Sequence, residues 1–298
     1  KERVWIIILD GMRLDTWDTV IWSRLREHFE LDGSEQFYLS TLPSFTDIAR
    51  LSFIAGKLPP HWKDYHHNYT SDHNILMSRQ LGLGKDESKK KLKIVARVEE
   101  KTEQSELDFD AAQYCCLIFN ISDDWIHNEH GSLVQVNGIV RDKFEKMVLP
   151  ELIDKLESGD IVVVTSDHGF MELKKDRSIQ IKDLKMVGGI ADNIRYRYLT
   201  SGAHDQGLPI TYDKSHQWCL AVGSSWFERP KPTGKTPRYS HGGISLAEMV
   251  VPAVRLRRRM AKETGLLLEI VPPAPCAAGD SIKLLAKLEN LGAMKISV

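Results

Sequence analysis

The chain has 298 residues, 42% of them hydrophobic and 27% charged, which is ordinary globular composition at a length suited to one large or two modest domains. Forty Lys+Arg against 41 Asp+Glu leave a formal net charge of −1, which excludes gripping nucleic acid by bulk charge, though not a local basic patch. No apolar run approaches the ~20 residues needed to cross a bilayer, so no membrane span is expected.

In chain order, Val4–Leu9 is a continuous apolar run, the signature of a strand buried on both faces; it stops at Asp10-Gly11. A helix is expected near Asp15–Phe29 and a short strand at Phe37–Leu39. Pro43 and Ser44 break the periodicity and make Thr41–Thr46 a turn. Asp47–Ala55 then reads as a helix, with Ile48, Leu51, Phe53 and Ile54 apolar and Gly56 as its stop. Residues 57–91 are polar, rich in His and Lys, and without a clear period. Lys91–Val98, Tyr114–Phe119 and Ile161–Thr165 read as strands, and Leu133–Leu156 as a helix interrupted near Gly138 and Pro150. Arg195–Leu199 and Trp218–Val222 are weaker strands. After Arg255 the texture changes. The basic run Arg257–Arg259, the proline-rich Pro272–Pro275 and a strand-like Ile282–Leu288 mark a β-rich extension over residues 256–298.

Alternating strands and helices with fully apolar strands predict a three-layer α/β/α sandwich around a mainly parallel sheet. The four cysteines are too few for a disulfide scaffold, and Cys115-Cys116 sit inside an apolar run, so a reducing, cytoplasmic setting is expected. There is no signal peptide, and the chain opens on Lys1 rather than Met, so it reads as starting inside a longer gene product.

Open α/β sheets place their sites beyond the carboxyl ends of the strands. Asp10, Asp123 and Asp167 each follow an apolar strand within a few residues. His127 stands four residues after Asp123, on the same face of a helical turn. His168 adjoins Asp167, with Gly169 to permit the backbone to turn there. A late His241-Gly242-Gly243 completes the set. Taken singly, such an Asp is a cap or turn residue and such a His a hydrogen-bonded core residue. Taken together, Asp and His suit zinc or a similar borderline cation, in numbers sufficient for two metals. Thr46 opens the helix that Gly56 closes, and two readings stand for it: an N-cap, or a nucleophile favoured by the helix terminus and a nearby cation. Gly234-Lys235-Thr236 is no P-loop end, since position 229 is Arg229 and no buried strand precedes it. His61, His66, His67 and His73, among Trp62, Tyr65 and Tyr69, read as a solvated loop in preference to a second metal cluster or a base-stacking surface.

Asp10-Gly11, Thr46 with a glycine ten residues later, Asp123 with His127, Asp167-His168-Gly169 and His241-Gly242 follow the order seen in the alkaline phosphatase superfamily. That superfamily includes nucleotide pyrophosphatase/phosphodiesterases and sulfatases. The stretch Arg238–Pro252, Leu42-Pro43-Ser44 and Arg195-Tyr196-Arg197-Tyr198 resemble more narrowly its PglZ family, found in bacterial and archaeal phage-defence systems of the BREX type. The resemblance covers residues 4–255; residues 57–112 do not align and are expected to form a cap over the site.

The resemblance implies one metal held by Asp10, Thr46, Asp167 and His168, and a second held by Asp123, His127 and His241. Asp124 is the alternative to Asp123, but only Asp123 keeps the four-residue interval to His127. The cations implied are zinc, with manganese or magnesium as alternatives. Thr46 Oγ would attack phosphorus in line, and water would hydrolyse the phosphothreonine. Asn120, Arg195 or Arg197 would clamp the non-bridging oxygens. The implied function is a metal-dependent phosphohydrolase, a phosphodiesterase first, acting on a phosphate ester such as nucleic acid or a nucleotide alongside other phage-defence proteins. A phosphomonoesterase or phosphomutase, and a non-catalytic scaffold, are the competing readings. A sulfatase would typically carry Cys or Ser where this chain has Thr46.

Overall fold

In the computed structural model, seven strands form the main sheet: β1 (Val4–Leu9), β2 (Phe29–Leu31), β3 (Gln36–Leu39), β4 (Leu92–Val98), β5 (Tyr114–Phe119), β6 (Ile161–Thr165) and β7 (Val250–Arg258). The structure describes residues 3–34, 36–58, 69–98, 102–103, 107–128, 131–181, 194–200, 206–212, 217–228, 237–259, 266–271 and 285–290. Of these, the side chains at 69–72, 124, 127–128, 194–195, 266–271 and 285–290 lie outside the description. The sheet order is β2-β7-β6-β1-β5-β4, with β3 also paired to β7. The four strands β4, β5, β1 and β6 run parallel. β7 enters antiparallel beside β6, and β2 and β3 pair antiparallel with it in turn.

β1 is apolar at every position because helices cover both of its faces. Trp5, Ile7 and Leu9 point into one cluster, Ile6 and Ile8 into the other. The first face is covered by α1, a helical stretch made of Leu14–Thr16, a π turn at Trp17–Ile21, and Trp22–Leu25. The other faces α2 (Thr46–Ala55) and α3 (Tyr69–Gln80), through Ile54, Leu76 and Met77. A short α4 (Lys85–Lys91) leads into β4, and α5 (Asp123–Asn128) follows β5. Each fully buried Leu, Ile or Phe contributes about 1.5–3 kcal/mol, so two such layers supply most of the driving force for this order. The result is the α/β/α sandwich with a mainly parallel sheet that the alternation predicts.

Several expectations change in detail. The helix after residue 132 does not break at Gly138. Within α6, Leu133–Lys143 runs into a π turn at Phe144–Val148 and on into Leu149–Lys155. Pro150 lacks an N–H, and a widened turn just before it accommodates that gap. Ser132 and Gln135 form a capping box at the start of α6. Of the segment expected as a cap, residues 69–98 instead build layer and sheet, α3 packing against α2 and β4 forming the sheet edge. His73 is buried on α3, whereas His61, His66 and His67 lie outside the described residues.

β7 runs through position 255, where composition suggests a boundary. Leu256 is buried opposite Val162, while Arg255 and Arg257 alternate outward and both pair with Asp32 at 2.6 and 3.1 Å. Arg255 and Arg257 are thus the solvated face of a strand, while Arg258 donates to the Leu156 carbonyl. The first compact unit ends at Arg258; residues 259–298 form a second, with an antiparallel pair Leu266–Val271 and Leu285–Asn290. Among the described residues, no helix is long and apolar enough to cross a membrane.

The register sets up the site. Leu9 lies beside Phe119 and Ile8 beside Thr165, so Asp10, Asn120 and Asp167 emerge together at the carboxyl edge of adjacent strands. A four-stranded antiparallel sheet, ordered Leu208–Thr211, Gln217–Leu220, Tyr198–Leu199 and Ile194–Arg195, stands at the start of α2, where Trp218 and Leu220 cluster with Ile48.

Candidate metal centre

Three strand ends and two loops meet at this edge. Asp10 leaves β1, Asp123 opens α5 and Asp167-His168 leave β6. Short hydroxyl bridges hold these ends. Ser122 Oγ donates to the Asp10 carbonyl (2.7 Å), Ser40 Oγ to the Asp167 carbonyl (2.5 Å) and Ser166 Oγ to the His168 carbonyl (2.7 Å). The loop before Thr46 is tied to the late histidine loop, because buried Ser44 donates to the Gly243 carbonyl (2.7 Å). Two of these loops require glycine for close approach. A Cβ at Gly169 would stand 2.1 Å from the Ala247 carbonyl oxygen, so contact, not turn conformation, explains that glycine. Gly242 has φ +107°, and a Cβ there would strike the Tyr198 ring.

The acidic and histidine side chains converge. Asp10, Asp167 and His168 bring one ligand atom each to within 4.8 Å of one another, and so do Asp123, His168 and His241. His168 Nε2 lies 3.9 Å from Asp10 Oδ1 and 4.0 Å from Asp167 Oδ1. His241 Nε2 lies 3.4 Å from Asp123 Oδ1, and its ring stacks on that of His168 at 4.2 Å. His168 is therefore the hinge between the two groups. Its Nδ1 donates to the Gly169 carbonyl (2.9 Å), which turns Nε2 inward. Burial opposes charge on His168, but the carboxylates of Asp167, Asp123 and Asp10 outweigh it and hold its pKa above the ordinary range. Asp10 is pushed up to about 7, by burial first and by Asp167 second.

Asp10 Oδ1 is buried and takes no hydrogen bond. A bare carboxylate oxygen among mixed nitrogen and oxygen donors is what a divalent cation satisfies, so the residues present fit a metal. Thr46 is the first residue of α2 and Phe45 its N-cap, without a side-chain cap. The Thr46 hydroxyl instead lies 2.9 Å from His168 Nε2.

Of the remaining expected residues, Asn120 lines a cavity of about 290 Å³ together with Asp10, Thr46, Arg50, Arg97 and Asp123. Position 127 stands one turn beyond Asp123 on α5; the side chains of His127, Asp124 and Arg195 lie outside the described residues. Arg197 does not act as a clamp on the site. It is fully buried, pairs with buried Glu248 (Nε to Oε1 2.8 Å, Nη2 to Oε2 2.5 Å) and donates to the carbonyls of Gly223 and Ser225. In the Tyr196-Arg197-Tyr198 motif it is the tyrosines that line the site. They wall a second cavity of about 340 Å³ with Phe45, Thr46, Asp123 and His241.

The sequence reading missed Arg50. It is 8% exposed and stands four residues after Thr46, where one helical face carries both. Its Nη2 pairs with Asp10 Oδ2, and also with Asp167 Oδ2 at 2.8 Å. The i, i+4 spacing from Thr46 is the signal that could have found it.

Solved structures of similar fold include murine ectonucleotide pyrophosphatase/phosphodiesterase 5, 11% identical with a TM-score of 0.57 over 85% of this chain and 88% of that one. An inactive threonine-to-alanine form of that murine protein is in complex with AMP. The human counterpart matches at 12% identity and a TM-score of 0.57, over 85% and 87%. Phosphonoacetate hydrolase from Sinorhizobium meliloti 1021, in complex with phosphonoacetate, matches at 15% and 0.52, over 85% and 89%. These likenesses, all at low identity, show a fold shared with those proteins.

Residues 1–256 match the family model described as the BREX system PglZ alkaline phosphatase-like domain, and the chain belongs to that family. It is 22% identical over 281 residues to the "Alkaline phosphatase-like protein PglZ" of Bacillus cereus (strain H3081.97), covering 89% of this chain. The chain spans about a third, 32%, of that relative's length.

Proposed function

We propose that this domain is a metal-dependent phosphoric ester hydrolase, a phosphodiesterase by preference, with Thr46 as its nucleophile. The observation that carries the reading is the place of the Thr46 hydroxyl. It opens α2, faces His168 Nε2 at 2.9 Å, and lies where the two ligand groups share His168. Asp10, Thr46, Asp167 and His168 would hold one cation, and Asp123, His127 and His241 the other. Zinc suits this nitrogen and oxygen set, with manganese or magnesium as alternatives. When bound, the cations supply Lewis-acid stabilisation of charge on the reacting oxygens.

This chain's residues do the rest. Thr46 stands at the N-terminal end of α2, where the helix dipole favours an anionic phosphoryl group. The threonine oxygen forms a bond to phosphorus as the bond to the departing alcohol breaks, and water then cleaves the phosphothreonine. Asn120 lies on the wall of one cavity, and in this reading it holds a non-bridging oxygen. Thr46 lines both cavities, one aromatic and one polar, leaving room for an ester arm on each side of phosphorus. A diester has two arms where a monoester has one. The AMP held by a protein of the same fold supports a phosphate ester as substrate, a nucleotide or nucleic acid among the choices. Membership of the PglZ family supports action in phage defence beside other defence proteins, and the buried free thiols of Cys115, Cys116 and Cys219 are in keeping with a reducing, cytoplasmic setting.

The test is hydrolysis of bis-p-nitrophenyl phosphate against the mono-ester, in zinc-loaded protein. We expect the diester to be the better substrate, and Thr46→Ala to lower its turnover ~10³-fold or more while zinc stays bound. Undiminished turnover in Thr46→Ala removes the nucleophile. Faster mono-ester hydrolysis makes the domain a phosphomonoesterase, and bound zinc with neither activity makes it a scaffold.

A further inference from the structure

We propose that Arg50 is a positioning residue of the metal centre: it holds one oxygen of Asp10 and one of Asp167, so that their other oxygens face a single cation together with His168. This rests on the metal-dependent reading above.

The oxygens of the two carboxylates are divided between two sides. Arg50 takes Oδ2 of both carboxylates, Nη2 reaching each and Nε also donating to Asp167 Oδ2 at 3.0 Å. The two Oδ1 atoms are left on the opposite side. Asp10 Oδ1 accepts no hydrogen bond at all. Asp167 Oδ1 accepts from the backbone of Gly11 (3.2 Å) and of His168 (3.0 Å), which fixes its direction. Both Oδ1 atoms then stand 3.9–4.0 Å from His168 Nε2. A guanidinium standing in a cation's place would contact the inward oxygens. Arg50 contacts the outer ones.

The residue type fits the task. Two buried carboxylates side by side repel each other and turn apart unless a cation joins them. Arginine stays charged when buried, and its planar fork can span two carboxylates, whereas lysine offers one compact point charge. Carriage on α2 adds a consequence: Thr46 and Arg50 share a helical face, so one helix aligns the hydroxyl and the carboxylates together.

The experiment is zinc affinity of the full chain, stripped of metal and titrated against a chromophoric chelator, for wild type, Arg50→Gln and Arg50→Lys. Thermal melting in EDTA serves as the folding control. We expect wild type to bind two zinc equivalents. In Arg50→Gln one equivalent should weaken about 10–100-fold, the usual effect of losing a partner that orients a metal ligand, while the other is unchanged. Arg50→Lys, which keeps the charge without the fork, should fall between them. Should Arg50→Gln not fold, Arg50→Lys alone decides. Wild-type affinity at both equivalents in whichever variant folds overturns the proposal and leaves Arg50 a purely structural ion pair. Tighter zinc in the variants also overturns it and makes Arg50 a competitor of the cation. A wild-type chain that takes up no zinc removes the metal reading and this role with it. Wild-type uptake with indifferent variants removes only the role of Arg50.

Discussion

At the scale of single residues, the site is a problem of charge. Asp10, Asp167, His168 and Arg50 are all buried, and their ionisation states depend on one another. Asp10 is pushed up to about 7. In the metal-free protein, folded Asp10 therefore keeps a proton that the unfolded chain has released above about pH 4. Its contribution to stability falls as pH rises from about 4 to about 7. His168 works in the same direction, since its raised pKa gives stability that is present at low pH and lost as pH climbs through the folded value. Asp167 adds no slope in this window. Burial would raise its pKa, but Arg50 and His168 outweigh burial and hold it below the ordinary range, so it is ionised throughout. Metal-free protein should accordingly melt at a lower temperature at about pH 8 than at about pH 5, and zinc should bind more tightly at the higher pH because its ligands must shed protons. Calorimetry across that range checks both; a melting point flat or rising with pH contradicts the ionisation pattern.

At the scale of elements, the local pattern and the tertiary contacts contribute unequally. The apolar runs of β1, β5 and β6 can be read directly from the sequence, because strands buried on both faces carry no polar position to confuse the period. The short pairing of Ile194–Arg195 with Tyr198–Leu199 cannot, because its turn is held from outside. Arg197 sits in that turn and is pinned by Glu248 of α7 (Leu246–Met249), which also accepts from Gly243 N (3.0 Å) and Ser245 Oγ (2.6 Å). One buried pair thus ties the tyrosine wall, the His241 loop and α7 together. Arg197→Met should destabilise the protein by about 3–5 kcal/mol, since Glu248 would be left as a buried, uncompensated charge. Urea denaturation measures this, and a loss within about 0.5 kcal/mol, the range of an ordinary surface change, contradicts the pinning role.

At the scale of the molecule, the sheet edge gathers residues from positions 10 to 241 into one cluster, so a bound cation would cross-link strands that the chain connects only through long excursions. Zinc at about 100 times its dissociation constant should stabilise the folded domain by about 2.7 kcal/mol. For a domain of this size that corresponds to a rise of roughly 5–10 °C in melting temperature. EDTA should reverse it. An unchanged melting point with zinc present would mean that the cluster holds no ion in the folded state.

The sequence by itself determined the layered α/β architecture and the acidic and histidine positions at the strand ends, because both are written in local hydrophobic pattern and residue type. The order of those motifs also carried the likeness to the alkaline phosphatase superfamily, and the stretch Arg238–Pro252 the narrower one to its PglZ family. Only the tertiary structure decided which polar residues meet. Arg50 and Arg197 look alike as charged residues in amphipathic surroundings, yet one reaches the carboxylates and the other a buried glutamate on α7. β7 was likewise hidden, since a strand with arginines on its outer face resembles a basic linker until its partner β6 and the carboxylate of Asp32 are in place. The physical reason is common to these cases: burial on a strand shows in the spacing of its own residues, but the partner of a charge is chosen by elements far away in the chain.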